Sequence, residues 1–144
     1  MKRGMLKRTI PRLLSALVLC GIMLSVLVLP AHAADNSWIQ FGGTGTGDWS
    51  DHNHWSLGHD PTWTESAIFT DASFNGANQV VTVDVASTCR NLDWSGVTAN
   101  TPKLVKNAVL AVYGNITLST AMQNITGTSP NDITINGGAP TTIR

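Results

Sequence analysis

Hydrophobic and polar positions alternate in short bursts over most of this chain. Val81, Val83 and Val85 fall on one face and Thr82 and Asp84 on the other, the period-two signature of a half-buried strand. The same pattern predicts strands over 66–70, 79–85, 89–94, 103–105, 108–113, 115–119, 124–126 and 132–136. Between them lie Asn-Gly, Ser-Gly, Tyr-Gly-Asn and Gly-Gly-Ala-Pro, all turn chemistry. No segment carries the period of an amphipathic helix. Similar apolar positions recur about twenty residues apart, from Val83 to Leu104, Leu92 to Val112 and Ile116 to Ile135, close to one turn of a β-solenoid. The expected fold is therefore all-β: the start of a short-stranded right-handed parallel β-helix, with a β-sandwich as the alternative.

Two stretches break the alternation. Residues 13–29 are apolar and uncharged, and they follow the basic start Lys2, Arg3, Lys7, Arg8 and Arg12. Pro30 and Ala31-His32-Ala33 come next, a helix break and a small-x-small cleavage site, so residues 1–33 read as a signal peptide. The run is longer than the usual signal core of about 7–15 residues and near the lower limit of a spanning helix, about 17–25, which leaves an uncleaved anchor as the alternative. Cys20 lies within it, but Leu19 precedes it where lipidation wants a small residue.

The second stretch, residues 34–64, is rich in Gly, Asp and Trp. Four of the five tryptophans (Trp38, Trp49, Trp55 and Trp63) fall here, and Gly42-Gly43 and Gly45-Thr46-Gly47 forbid a stable helix. It reads as a capping loop region whose indoles close one end of the core. Residues 65–144 then read as the coils. Strand-and-turn rhythm continues to Arg144, which suggests the front of a longer or truncated protein, a short self-closing chain being the plainer alternative.

Charge changes the picture once the signal is set apart. Only Arg90, Lys103, Lys106 and Arg144 remain against nine acids, four against nine, a net −5 with His neutral. A mildly acidic surface repels phosphate backbones, so nucleic acid is not an expected partner. The membrane is expected to be met only through the signal segment, if that is retained. Cys89 is left without a second cysteine, which rules out an intrachain disulfide in the mature chain and makes it a buried apolar residue.

Residues 38–94 resemble the opening module of large secreted bacterial β-helix proteins, including those with autotransporter-associated strand repeats. The likeness rests on Gly45-Thr-Gly-Asp48-Trp49-Ser50, Asn53-His-Trp55-Ser56, Ser66-Ala-Ile68-Phe69, Val81-Thr-Val83-Asp84 and Asn91-Leu92-Asp93-Trp94. His54, His59-Asp60 and Cys89 depart from the commoner wording. The resemblance implies a secreted or cell-surface structural module of an adhesin-like protein, and no known active site.

The densest polar cluster is Asp48, Asp51, His52, His54, His59 and Asp60. Its spacing would suit part of a metal shell, but no later His supplies a further ligand, and turn-capping loop residues are the expected role. Asp48, Asp51 and Asn53 offer oxygens without an EF-hand pattern. Trp38, Trp49, Trp55 and Trp63 could instead form a platform for sugar rings, with extracellular glycans or cell-surface components as partners. Glycan hydrolysis needs two carboxylates about 5–10 Å apart, and nothing pairs Glu65, the one Glu, with a given Asp. No nucleophile elbow, zinc-hydrolase motif or phosphate loop occurs, so neither catalysis nor a cofactor is expected. Asn115-Ile-Thr117 and Asn124-Ile-Thr126 match glycosylation acceptors.

Overall fold

The computed structural model describes residues 32–123, 125–127 and 133–135. The segment read as a signal peptide lies outside them except for His32 and Ala33, as does Asn124 of the second acceptor motif. The fold described belongs to the compact unit Ala33–Arg144.

Eleven strands follow in order: β1 Ala34–Ser37, β2 Gly47–Asp48, β3 Glu65–Thr70, β4 Val80–Val83, β5 Ser87–Cys89, β6 Leu92–Gly96, β7 Lys103–Lys106, β8 Leu110–Val112, β9 Ile116–Thr117, β10 Thr126–Gly127 and β11 Ile133–Ile135. Among the described residues there is no α-helix. The strands form three sheets, in orders β1-β3-β6-β9, β2-β4-β7-β10 and β5-β8-β11, and every strand pair is parallel. The chain is all-β, as expected. Its parallel pairing is not the hairpin-built antiparallel pairing of an ordinary sandwich.

Parallel neighbours need a crossover long enough to bring the chain back to the same end of the sheet. After the first circuit, the crossover from one strand to its neighbour is made of strands in the other two sheets. Ala67 pairs with Leu92 and Leu92 with Ile116. Val81 pairs with Leu104, and Val105 with Thr126. Ser87 pairs with Leu110 and Leu110 with Ile133. Each of these returns takes roughly two dozen residues, within the span of one solenoid repeat. The first return is longer, running from Ala34 to Glu65 in one sheet and from Gly47 to Val81 in another.

Parallel register stacks like positions into columns, and the inward columns make the core. Ala67, Leu92 and Ile116 form one; Val81 and Leu104 another; Leu110 and Ile133 a third. Each fully buried aliphatic contributes about 1.5–3 kcal/mol of apolar transfer. Alternate positions such as Thr82, Thr88, Asp93 and Ala111 are half-buried on the outer face.

The apolar recurrence read from the sequence had the period nearly right and the partners wrong. Val83 is in register with Lys106, Leu92 with Ile116 and Ile135 with Val112. Strand boundaries also differ, β1 and β2 lie in the stretch expected to be a loop, and two of the differences move a turn. β4 ends at Val83, so Val85 is exposed: the chain turns at 84–86, where Ser87 Oγ donates to the Val85 carbonyl. The single strand read over 89–94 is two, β5 and β6, with a corner at Arg90-Asn91 between them.

Asparagine builds the corners. Asn78 and Asn100 both take positive φ (60° and 66°), a backbone region that Asn tolerates better than most residues, and the Asn78 amide donates to the Asn100 carbonyl. At another corner Asn91 Nδ2 donates to Ser66 Oγ, while Asn91 Oδ1 accepts from the Asn115 amide. One side chain thus joins three successive returns of the chain.

Candidate functional site

Residues 34–64 carry β1 and β2, which pair with β3 and β4, and they hold the residues singled out from the sequence. Phe41 and Thr44 exchange backbone hydrogen bonds across Gly42-Gly43, whose φ values of 61° and 79° meet the two-positive-φ requirement of a type I′ turn. The chain then forms β2, and Trp49 N donates to the Thr82 carbonyl at 2.7 Å. Asp51 caps a short 3-10 turn, His52–His54, accepting from the Asn53 amide and side chain. Those bonds hold the Asp51 carboxyl below its ordinary range.

Trp38, Trp49 and Trp55 lie in the core, with exposures of 1%, 0% and 2%. Trp38 meets Trp55 edge-on at 5.0 Å, and Trp49 meets Trp55 edge-on at 4.8 Å. All three surround Phe69, which stacks on Trp94 at 4.0 Å with planes 8° apart. Trp38 Nε1 donates to the Gly45 carbonyl and Trp55 Nε1 to the Trp49 carbonyl. Among the described residues, the buried indole N–H groups of Trp49 and Trp94 have no acceptor. Three of the four indoles offered as an alternative sugar platform are thus core side chains. Burial keeps their faces from a ligand. Trp63 alone is exposed, at 59%, with its ring 6.3 Å from Tyr113 and edge-on to it.

The polar cluster separates as well. His54 is buried, stacked on Trp38 at 4.5 Å with planes 5° apart, and its Nδ1 donates to the Ile39 carbonyl. Gly47 is required beneath it, because a Cβ there would collide with the imidazole. His54 is therefore a core plate, not the solvated loop residue expected. His52 and His59 do lie outside, with His52 Nε2 3.1 Å from Asp60 Oδ1 and His59 Nε2 3.7 Å from Glu65 Oε1. Exposed pairs of this kind contribute about 0–1 kcal/mol. Among the described residues no three His, Cys, Asp or Glu side chains converge.

Two structural contacts made by this region, through Asn36 and through Asp84, were not expected from the sequence. Asn36 is fully buried: Nδ2 donates to the His59 carbonyl at 2.7 Å, and Oδ1 accepts from the Leu57 amide and the Ser56 hydroxyl. Its neighbours Asp35 and Ser37 hid it among ordinary polar residues. Asp84 receives the Ser50 hydroxyl at 2.6 Å and amide at 3.1 Å, tying the cap to the second return. Partial burial pushes the Asp84 carboxyl up, but the Ser50 bonds outweigh this and leave it below its ordinary range. Cys89 is buried as expected, and desolvation pushes its thiol up to about 12.

A shallow groove at the far end is lined by Leu118, Ser119, Met122, Gln123 and Ile125. Comparison with protein-family models, curated proteins and solved structures finds no match to this chain.

Proposed function

We propose that this chain is a non-enzymatic exported module: the capped beginning of a parallel β-solenoid that serves as scaffold in an extracellular or cell-surface, adhesin-like protein. The observation that carries the reading is the cyclic path through three parallel sheets, with returns of nearly even length after the first circuit. Most inward positions carry apolar side chains stacked in columns, with Ser87 and Lys106 as exceptions, and the outward positions mix Thr82, Thr88 and Asp93 with Ile68, Val80 and Val105. A scaffold needs rigidity and an extended surface, and columns of this kind supply both without a cleft. Export rests on the basic, apolar, Ala-His-Ala start.

The test joins localisation to geometry. The full chain is produced in a bacterial host, cells and medium are fractionated, and the N-terminus of the recovered protein is sequenced. Recovery outside the cytoplasm with Ala34 first supports the reading; cytoplasmic protein retaining Met1 counts against export. Spin labels at Thr88 and Ala111, adjacent in register, are expected at one strand spacing, about 4.7–4.9 Å between backbones. Well-separated labels would remove the solenoid.

One observation favours a second reading, a contact for extracellular glycans. Trp63 is exposed beside Tyr113 and flanked by Thr62 and Thr64, whose hydroxyls lie 3.0 Å apart. Titration of tryptophan fluorescence with a polysaccharide panel, repeated on Trp63→Ala, tests it.

A further inference from the structure

The outer edge of β1 is closed by the only antiparallel segment laid on a sheet edge among the described residues. Trp38 and Trp55 form an antiparallel bridge. Around it the Ile39 amide donates to the His54 carbonyl at 2.8 Å, and the Ser56 amide to the Ser37 carbonyl at 2.9 Å. Ser56 Oγ also accepts from the Ser37 amide. Beyond the bridge the contact continues through a side chain: Asn36 Oδ1 accepts from the Leu57 amide and Nδ2 donates to the His59 carbonyl. A primary amide thus stands in for a peptide group and extends the ladder over residues 54–59.

Asn36 occupies a telling place. It is in register with Ala67, which is in register with Leu92, and Leu92 with Ile116. The column that is apolar in every later return ends at this edge in an amide. An aliphatic at 36 would continue the column and leave the Leu57 amide and His59 carbonyl without their partner.

We infer that residues 54–59 are an edge plug, latched by Asn36, that keeps two copies of this chain from pairing through β1. An open strand edge recruits another strand. The plug runs antiparallel to β1, so antiparallel pairing is the direction this edge already accepts. A second copy related by a two-fold axis presents its own β1 in that direction, which gives a closed, symmetric pair. This inference needs only the edge geometry and stands apart from the export and scaffold reading.

The test compares the full chain with Asn36→Leu, which completes the apolar column and unlatches the plug. A second variant, Ser56→Pro, deletes the amide and hydroxyl that hold Ser37, together with one bond to Asn36 Oδ1, and replaces no buried side chain. Trp55, which precedes the new proline, is already extended (φ −114°, ψ 133°), as a pre-proline residue must be. Amide exchange at Ile39 reports the plug, and sedimentation velocity across a concentration series reports association. The original chain is expected to protect Ile39 and to show no association through this edge. Each folded variant is expected to lose that protection and shift to a dimer as concentration rises. Should Asn36→Leu fail to fold, Ser56→Pro decides alone. Fast exchange at Ile39 with no dimer, or with an open-ended series of multimers, overturns the inference; so does undiminished protection in both variants.

Discussion

The cap and the coils of this molecule solve the same problem with different chemistry. Strands β3 to β9 repeat one device: short strands in parallel register, mostly apolar side chains inward with Phe69 and Trp94 toward residues 34–64, and asparagine at the corners. Residues 34–64 repeat nothing. They fill their space with Trp38, Trp49, Trp55 and His54, a set of plates in unique orientations. A column can lose one member and still be bounded by similar side chains above and below. A set of unlike plates has no spare, because each one defines the position of the next.

The sharpest way to break that comparison is Trp38→Ala. It removes the plate on which His54 stacks, the edge contact with Trp55 and the bond to the Gly45 carbonyl. The expected loss is about 3–5 kcal/mol in a urea melt. Leu110→Ala, in the column between Ser87 and Ile133, is expected to cost about 2–3 kcal/mol, the low end for such truncations, because Ile133 and the other aliphatic side chains of the core can close on the gap. A larger loss at Leu110 than at Trp38 would mean that the coils, and not the cap, hold the structure together.

That asymmetry also explains what could be read in advance. The coils were legible because period-two alternation is written into the strand itself, as at Val81 and Val83. Their exact partners were not. The return from Val105 to Thr126 is shorter than the one from Ala67 to Leu92, because the corners differ, and an apolar pattern does not fix corner length. In the cap, the Gly/Trp composition announced a core end but not which side chains would face inward. Ionisable His54 looked like a loop residue, and only the space that Gly47 leaves open reveals it as a plate. Asn36 was invisible for a related reason: an amide that satisfies backbone groups looks, in sequence, like any polar residue.

A milder cut separates the two regions at their seam. Ser50→Ala removes the hydroxyl that Asp84 accepts, and about 0.5–1.5 kcal/mol should be lost at neutral pH. Asp84, like Asp51 and Asp71, has its folded carboxyl below the ordinary range; for Asp71 the Thr98 hydroxyl is the main cause. With a depressed folded pKa, the stabilisation is present above the unfolded value, about pH 4, and disappears as pH falls through the folded value. In melts of the original chain, the share of stability that these carboxylates contribute should therefore be level from neutral pH down to about pH 5 and weaken below about pH 4. In Ser50→Ala that acid loss should be smaller. An identical acid loss in both proteins would show that the Asp84 contact carries none of the linkage.

Trp63 is the smallest expected effect and the most informative about function. It belongs to the tryptophan-rich stretch by sequence, yet at 59% exposure it shares none of the burial of Trp38, Trp49 and Trp55. Trp63→Ala is accordingly expected to change stability by no more than about 0.5 kcal/mol, as surface positions do. Its contact with Tyr113 is edge-on at 6.3 Å, which leaves the indole accessible without making the two rings coplanar. If the exposed ring serves a ligand, a polysaccharide should perturb fluorescence in the original chain and not in Trp63→Ala, while both melt together. Equal responses would place any glycan elsewhere, and no response in either protein would leave the scaffold reading without its rival. A loss of several kcal/mol would instead make Trp63 a clasp that pins the cap to the third return, and would move it from the surface to the structural side of the comparison.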